Sequence, residues 1–273
     1  METCYRHPNR ETGVSCSSCG RPICPDCMTP TPVGMRCPEC SRQRTPVRTL
    51  QNMRRGGVEV TRILIAINVI AWVGELASSG TANSVFARGA LNGDLIAIGH
   101  DYWRLITGGF LHYPNIGVGL FHIGFNMYLL WYLGNMLEPA LGSVRFTVIY
   151  FVSLLCGSFG ALLLNFHATT VGASGAVFGL MGAAFFELRA RGIDPFQAGI
   201  GWLIVINLIF SFAVSNISIG GHIGGLIGGS LCALALQVGD RQRSRLLGVG
   251  ACVVLGVAAI AASIAFANSQ SLA

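Results

Sequence analysis

The sequence contains no lysine, and charged residues make up only 11% of its 273 residues. A soluble domain of this length needs far more charge to cover its surface, so the composition excludes an ordinary soluble protein. The net charge of +6 therefore comes from arginine alone. These arginines flank apolar runs and form no basic patch interleaved with aromatic side chains, so the sequence does not indicate binding to nucleic acid.

The first 60 residues also lack any apolar run that is long enough to cross a bilayer as a helix, which takes about 20 residues. They are polar and rich in cysteine, proline and arginine, and the first long apolar run starts only near Ile63. We therefore expect a separate small N-terminal domain and a linker, and no signal peptide.

Apolar runs fill most of the remaining chain. Because lipid offers no water to the backbone, we expect each run to be a membrane-spanning helix, which predicts an all-α polytopic membrane bundle. The seven runs fall at about residues 62–78, 120–137, 145–165, 172–188, 198–215, 219–238 and 246–267.

Arginine placement predicts the orientation of these spans, since arginine and lysine are enriched in cytoplasmic loops. Arg145 lies between the second and third spans, and further arginines precede the first span and follow the fourth and sixth. The loops around residues 165–170 and 215–218, on the opposite side, carry no charge. The N terminus is therefore predicted in the cytoplasm and the C terminus outside. The partly apolar loop 79–119 is expected to lie at the outer interface, packed on the bundle.

Polar side chains inside membrane helices are costly, and they usually mark a functional site. Such side chains occur at His122 with Asn126, at Ser174 and at His222. Each lies within the first two turns of a span that runs from outside to inside. They therefore share a shallow depth near the outer face, and we expect them to converge in one active site.

The chemistry of these groups suggests their roles. Ser174 needs a base to become a nucleophile, and a buried, neutral His222 can accept its proton. His122 and Asn126 are four residues apart on one helical face, and both can donate to an oxyanion together with the Ser174 amide. Among the carboxylates only Asp101, in the long loop, is a conceivable third partner, so the sequence predicts a Ser–His dyad.

Glycine spacing predicts which spans touch. The sixth span carries Gly221, Gly225 and Gly229, and the fourth carries Gly175 and Gly179. Small residues at every fourth position let two membrane helices approach closely. We therefore expect the serine-bearing and histidine-bearing spans to be in contact.

Taken together, these residues resemble the rhomboid family of intramembrane serine proteases. The resemblance covers roughly residues 60–240 and rests on Gly172-Ala-Ser174-Gly175, His122-x3-Asn126, His222-x2-Gly225-x3-Gly229 and Trp103-Arg104. It implies a six-helix core with an extra seventh helix, and cleavage of substrate helices at small residues near the outer membrane face. It also implies an aromatic residue that packs on the histidine, here Phe178. The stretch from His112 to His122 is long for the family, so His112 is left out of the predicted site.

On this resemblance we expect an integral protein of a bacterial plasma membrane that draws single-span membrane protein substrates from the lipid bilayer. One alternative is a catalytically silent relative that binds membrane helices, which the presence of both Ser174 and His222 disfavours. The other is a transporter or channel, but the spans lack the charged residues that line such pathways.

Cysteine is concentrated at the N terminus, where seven of the ten cysteines lie within the first 40 residues. In a reducing cytoplasm, paired cysteine and histidine ligands favour metal binding over disulfides. Eight ligands, seven cysteines and one histidine, suit two structural zinc ions with tetrahedral coordination. No cofactor is expected for catalysis. The predicted ligands are Cys4, His7, Cys16, Cys19, Cys24, Cys27, Cys37 and Cys40. The arrangement resembles a B-box-type zinc finger, which implies that the first and third pairs share one ion and the second and fourth the other. Whether this module docks a cytoplasmic protein partner or is only a stable cap stays open.

The sequence thus predicts four segments along the chain. They are a double-zinc domain at 1–41, an arginine-rich linker at 42–61, a rhomboid-like six-helix core at 62–240, and a seventh transmembrane helix with a C-terminal tail at 241–273.

Overall fold

The computed structural model describes residues 2–31, 34–42, 57–81, 83–214 and 217–270. The chain divides into two compact units, Met1–Met53 and Arg54–Ala273. Most of the predicted linker, including its arginines from Arg44 to Arg55, lies outside the described residues.

The first unit has little regular structure, and sulfur atoms dominate its interior. Its elements are β1 (Glu2–Thr3), β2 (Glu11–Thr12), a 3-10 turn (Pro25–Cys27), β3 (Thr29–Thr31), β4 (Gly34–Arg36) and α1 (Pro38–Arg42). β1 pairs with β2 and β3 with β4, both antiparallel. Ile23 and six of the cysteines form its buried cluster. An interior made of thiols and one aliphatic side chain has little apolar surface to stabilise it without metal.

Apart from one β-bridge between Leu91 and Thr170, the regular structure of the second unit is helical over its described length. Its helices are α2 (Glu59–Ala77), α3 (Val85–Gly89), α4 (Gly93–Ala97), α5 (Arg104–Thr107), α6 (Val118–Leu141), α7 (Ser143–Leu164), α8 (Ser174–Ala190), α9 (Ile200–Ala213), α10 (Ile219–Arg241) and α11 (Arg245–Gln270). Each of the seven predicted spans coincides with one of the long helices α2 and α6 to α11. The structure confirms the predicted helical fold class.

These helices differ in whether their length and composition would let them cross a membrane. Among the described residues, α2, α7, α10 and α11 are the four that are long and apolar enough to cross a membrane. α8 has 17 residues, as many as the predicted run 172–188, whereas α9 has 14, which is fewer than the 18 of the predicted run 198–215. α8 begins two residues later than predicted because Gly172, at φ +129°, belongs to the loop that precedes Ser174. Membrane crossing by α6, α8 and α9 stays a prediction.

The core of this unit is formed by α7, α8 and α10, which approach one another through glycine. A Cβ placed on Gly225 of α10 would lie 1.9 Å from the carbonyl oxygen of Gly175 on α8. A Cβ on Gly229 would lie 2.0 Å from the carbonyl oxygen of Gly179. Only glycine permits this separation, which confirms the predicted contact between the two helices.

Polar side-chain contacts, with Glu138 buried and Asp240 exposed, hold pairs of helix ends together. The Glu138 carboxylate, at the end of α6, accepts hydrogen bonds from the amides of Val60 and Thr61 in the first turn of α2. It thereby satisfies backbone donors that have no partner within their own helix. Arg145, at the start of α7, makes a two-pronged ion pair with Asp240 at the end of α10. The start of α7 and the end of α10, which both carry arginine, therefore lie together.

Candidate active site

The loop before α8 places Ser174 as the first residue of that helix. The Gly172 amide donates to the Gly108 carbonyl at 3.0 Å, and Thr170 pairs with Leu91 as an antiparallel bridge. These bonds fasten the loop to the 79–119 segment. The Ser174 hydroxyl consequently sits at a helix N-terminus, where free backbone amides and the helix dipole favour negative charge.

The long loop 79–119 is organised around a buried arginine side chain. Arg104 pairs with Asp101 at 2.9 Å and donates to the carbonyl oxygens of Ala87 and Ala90. Asp101 is therefore committed to Arg104. The one carboxylate that the sequence left conceivable as a third catalytic partner belongs to the scaffold that supports the loop.

His222 is the fourth residue of α10, and only 7% of it is exposed. Its ring stacks on Phe178 of α8, with ring centroids 4.1 Å apart and an interplanar angle of 17°. Its Nδ1 lies 2.6 Å from the hydroxyl oxygen of Ser211 on α9. Residues of α8 and α9 therefore hold the imidazole, which itself belongs to α10. Neither α8 nor α9 provides a hydrogen-bond partner for the other ring nitrogen, Nε2.

Ser174 and His222 lie on helices whose ends touch. A Cβ on Gly175, next to the serine, would lie 3.3 Å from the carbonyl oxygen of Gly221, next to the histidine. Within the described part of the chain, no hydrogen bond joins the serine hydroxyl to the imidazole. Hydrogen bonds between catalytic groups are often long before substrate binds.

His122 on α6 reaches the same place. A Cβ on Gly172 would lie 2.8 Å from His122 Nε2 and 3.6 Å from Ser174 Oγ, so both atoms face this glycine. Asn126 is buried and donates one amide hydrogen to the carbonyl oxygen of His122 at 2.9 Å. Its second amide hydrogen can serve another acceptor.

Two residues outside the predicted site prove to adjoin it. The buried ring of His112 lies edge-on to His122, with centroids 4.9 Å apart, and its backbone amide donates to the Glu75 carboxylate at 2.9 Å. The other residue is Ser211, the partner of His222. Neither contact has a distinct signal in the sequence, because Ser211 resembles any serine that bonds its own helix and the position of His112 depends on the path of the loop.

Comparison with known proteins identifies the family. The family described as Rhomboid domain matches residues 99–238, about half of the chain. GluP of Bacillus subtilis, named a rhomboid protease, is 36% identical over 200 residues, which is 71% of this chain. YdcA of the same organism is 31% identical over 190 residues, which is 67% of this chain and 92% of YdcA.

The chain belongs to the rhomboid family.

Rhomboid membership leaves activity open. The chain spans only 38% of the length of GluP. A relative from Arabidopsis thaliana, the Inactive RHOMBOID-like protein 8, is 31% identical over 131 residues, which is 48% of this chain and 36% of that protein. The rhomboid match begins at residue 99 and so does not include the N-terminal unit.

The N-terminal unit of this rhomboid brings its eight predicted ligands into two groups. One group is Cys4, His7, Cys24 and Cys27, and the other is Cys16, Cys19, Cys37 and Cys40. The donor atoms lie within 4.8 Å of one another in each group. The geometry thus groups the pairs in the order first with third and second with fourth, as the B-box resemblance implies.

Distances in the first group suit zinc. Bonds of about 2.3 Å to sulfur and about 2.0–2.1 Å to nitrogen place the donors of a tetrahedral site about 3.4–3.8 Å apart. His7 Nδ1 lies 3.3 Å from the sulfur of Cys24, 3.5 Å from that of Cys27 and 3.9 Å from that of Cys4. The donor set therefore fits a tetrahedral Cys3His ion with His7 bound through Nδ1.

Polar contacts connect the two groups of metal ligands. Glu39, which lies between Cys37 and Cys40, accepts hydrogen bonds from the Tyr5 hydroxyl and from Arg6, which lie between Cys4 and His7. The bond from Tyr5 is the main reason that the pKa of Glu39 falls to about 2. In the second group, the backbone amide of Cys37 donates to the sulfur of Cys16 and lowers its pKa to about 6.

Proposed function

We propose that this rhomboid protein is an intramembrane serine endopeptidase in which Ser174 is the nucleophile and His222 the general base. The observation that carries the proposal is the convergence of three helices at one point. Ser174 Oγ and His122 Nε2 face the same glycine at the start of α8, and His222 is stacked on that helix one turn further along. GluP, a relative named as a protease, supports the protease function.

The chemistry follows from these positions. Ser174 Oγ attacks the carbonyl carbon of the scissile peptide bond, and its proton passes to His222 Nε2. The negative charge that forms on the carbonyl oxygen is stabilised by the Ser174 amide, His122 and Asn126. Collapse of this intermediate breaks the C–N bond, and the leaving amine takes the proton from His222. Water then attacks the acyl-enzyme as His222 accepts its proton, and the C–O bond to Ser174 breaks as the serine oxygen takes that proton from His222.

The surroundings of the serine support a preference for small residues at the cleavage site. Ser174 lies in the wall of a pocket that is lined largely by glycine and other small residues, including Gly108, Gly157 and Gly172. We propose that the substrates are single-span membrane proteins that enter from the lipid bilayer and are cut at small residues near the outer face. By this proposal the protein lies in a bacterial plasma membrane with its N terminus in the cytoplasm and its C terminus outside.

For the N-terminal unit we propose two structural zinc ions, held as Cys3His and Cys4. The support is the grouping of the eight ligands and the small apolar interior. Zinc here would supply folding free energy and no catalytic step. The catalytic unit needs no metal for its reaction in this proposal.

The competing function is a catalytically silent protein that binds membrane helices. One relative is named as inactive, and the hydroxyl of Ser174 does not hydrogen-bond the His222 ring. This candidate predicts a serine without enhanced nucleophilicity.

A fluorophosphonate probe separates the two functions. Purified protein is treated with the probe and digested, and the modified residue is mapped by mass spectrometry. The protease proposal expects labelling of Ser174 in the wild-type protein and in Ser263→Ala, a serine of α11, and no labelling in Ser174→Ala or His222→Ala. A folded wild-type protein that reacts no faster than these two variants, and that leaves a single-span reporter uncut, would establish the silent function.

A further inference from the structure

We propose that Ser211 is a positioning residue that holds the proposed general base in its reactive tautomer, an inference that rests on the function proposed above. Ser211 lies near the end of α9 and is 2% exposed. No role for it follows from the sequence resemblance, and it is not one of the predicted site residues.

The argument starts from the single proton of the serine hydroxyl. Ser211 Oγ lies 2.6 Å from the carbonyl oxygen of Asn207, one turn earlier in α9, and the hydroxyl donates to it. This is the usual bond that a serine makes within a membrane helix. A carbonyl oxygen can only accept, so the hydroxyl proton is committed to Asn207.

In its second contact, Ser211 Oγ must therefore act as the hydrogen-bond acceptor. His222 Nδ1 lies 2.6 Å from Ser211 Oγ, and the nitrogen must supply the hydrogen. A neutral imidazole carries one hydrogen, so the hydrogen on Nδ1 leaves Nε2 with a free lone pair. That tautomer is the one able to accept the proton of Ser174.

The same contact also restricts the ring. Phe178 covers one face of the imidazole, and Ser211 fixes the Nδ1 edge. The bond from Ser211 therefore supplies the orientation that a carboxylate provides in serine proteases with three catalytic residues, without adding a charge to a buried site. When His222 accepts the serine proton, the Nδ1–H···O bond becomes charge-assisted and strengthens.

The first test compares variants of Ser211 with a matched control. Ser263 of α11 is 1% exposed and donates to the carbonyl oxygen of Ala259, four residues earlier, at 2.7 Å. It repeats the helical bond of Ser211 without the histidine contact. We expect Ser211→Ala to lower kcat for a single-span reporter about tenfold or more, with KM little changed, from loss of one hydrogen bond. Ser211→Thr, which keeps the hydroxyl, should recover most of the rate, and Ser263→Ala should match wild type.

The second test needs no variant of Ser211. In protein labelled with 15N-histidine, the His222 signals are assigned by their loss in His222→Gln, and their shifts report which nitrogen carries hydrogen. We expect Nδ1 to be protonated and Nε2 to be bare in the wild-type protein at neutral pH. Hydrogen on Nε2 instead would overturn the inference even if Ser211→Ala does not fold. So would wild-type kcat in a folded Ser211→Ala variant, provided that Ser174→Ala is inactive. Cleavage by Ser174→Ala at the wild-type rate would instead overturn the proposed function.

Discussion

The rings of Phe178 and His222 lie face to face, with centroids 4.1 Å apart and an angle of 17° between their planes. Phe178 follows Ser174 by four residues, so the two side chains project from the same face of α8. The helix that carries the proposed nucleophile therefore also carries the surface against which the proposed base rests. Any shift of α8 therefore moves Ser174 and Phe178 together and preserves their relative position.

The contact between these two rings can be tested with variants that change either the size or the polarity of the side chain at position 178. We expect Phe178→Tyr to keep turnover within a few-fold of wild type, because the ring remains and only a hydroxyl is added. Phe178→Ala should reduce turnover about tenfold, since aromatic pairs contribute about 0.5–1.5 kcal/mol beyond the area they bury. Phe212→Ala is the control, because Phe212 is 66% exposed on α9. Wild-type turnover in a folded Phe178→Ala variant would show that the stack does not hold the base.

The second prediction concerns Asn126 as one of several oxyanion donors. Asn126→Ala should lower kcat by about 10²–10³, which is the usual loss for one such donor, and should be milder than Ser174→Ala. Asn135 of the same helix is the matched control, because its amide also donates to the carbonyl oxygen four residues earlier. We expect Asn135→Ala to turn over the reporter at the wild-type rate. A loss in Asn126→Ala as complete as that in Ser174→Ala would instead assign Asn126 a structural role.

The sequence predicted the helices well because apolar length is a strong signal in a chain that must satisfy its backbone inside lipid. It also predicted that Ser174, His122 and His222 share one end of the bundle, since span direction and position in the span fix depth. Depth does not fix rotation about the helix axis. The partner of His222 was therefore missed, because Ser211 looks like any serine that bonds its own helix. His112 was missed because its approach to His122 depends on the path of the loop between them.

The third prediction tests the glycine contact. A Cβ at Gly225 would meet the Gly175 carbonyl oxygen at 1.9 Å, so Gly225→Ala must push α10 away from α8. A displacement of about 1 Å at reacting groups can reduce the rate about 10²-fold, and we expect at least that loss. Gly250→Ala in α11 is the control, since nothing lies within 4 Å of its Cβ position. Thermal unfolding in the same detergent separates lost geometry from lost folding, and unchanged turnover in Gly225→Ala would contradict the packing seen here.

The fourth prediction concerns zinc stoichiometry. We expect purified full-length protein to carry two zinc ions per chain and Cys16→Ser to carry one. Cys156→Ser should keep both, because Cys156 is a thiol of α7 outside the two ligand groups. Metal content measured by mass spectrometry against protein concentration checks the result. Two ions retained in Cys16→Ser would exclude that cysteine from the ligand set.

The last prediction is that removal of residues 1–45 leaves the chemistry of the protein intact. Every proposed catalytic and oxyanion residue lies in the unit Arg54–Ala273, and every proposed zinc ligand lies in Met1–Met53. All hydrogen bonds and ring contacts described above for Ser174, His122 and His222 come from the second unit, so truncation removes none of them. We therefore expect the truncated protein to cleave a single-span reporter with a kcat within a few-fold of that of the full-length protein in the same detergent. Ser174→Ala made in the truncated chain supplies the background. A truncated protein that unfolds at the full-length temperature yet cleaves no faster than this background would show that the zinc module is required for catalysis.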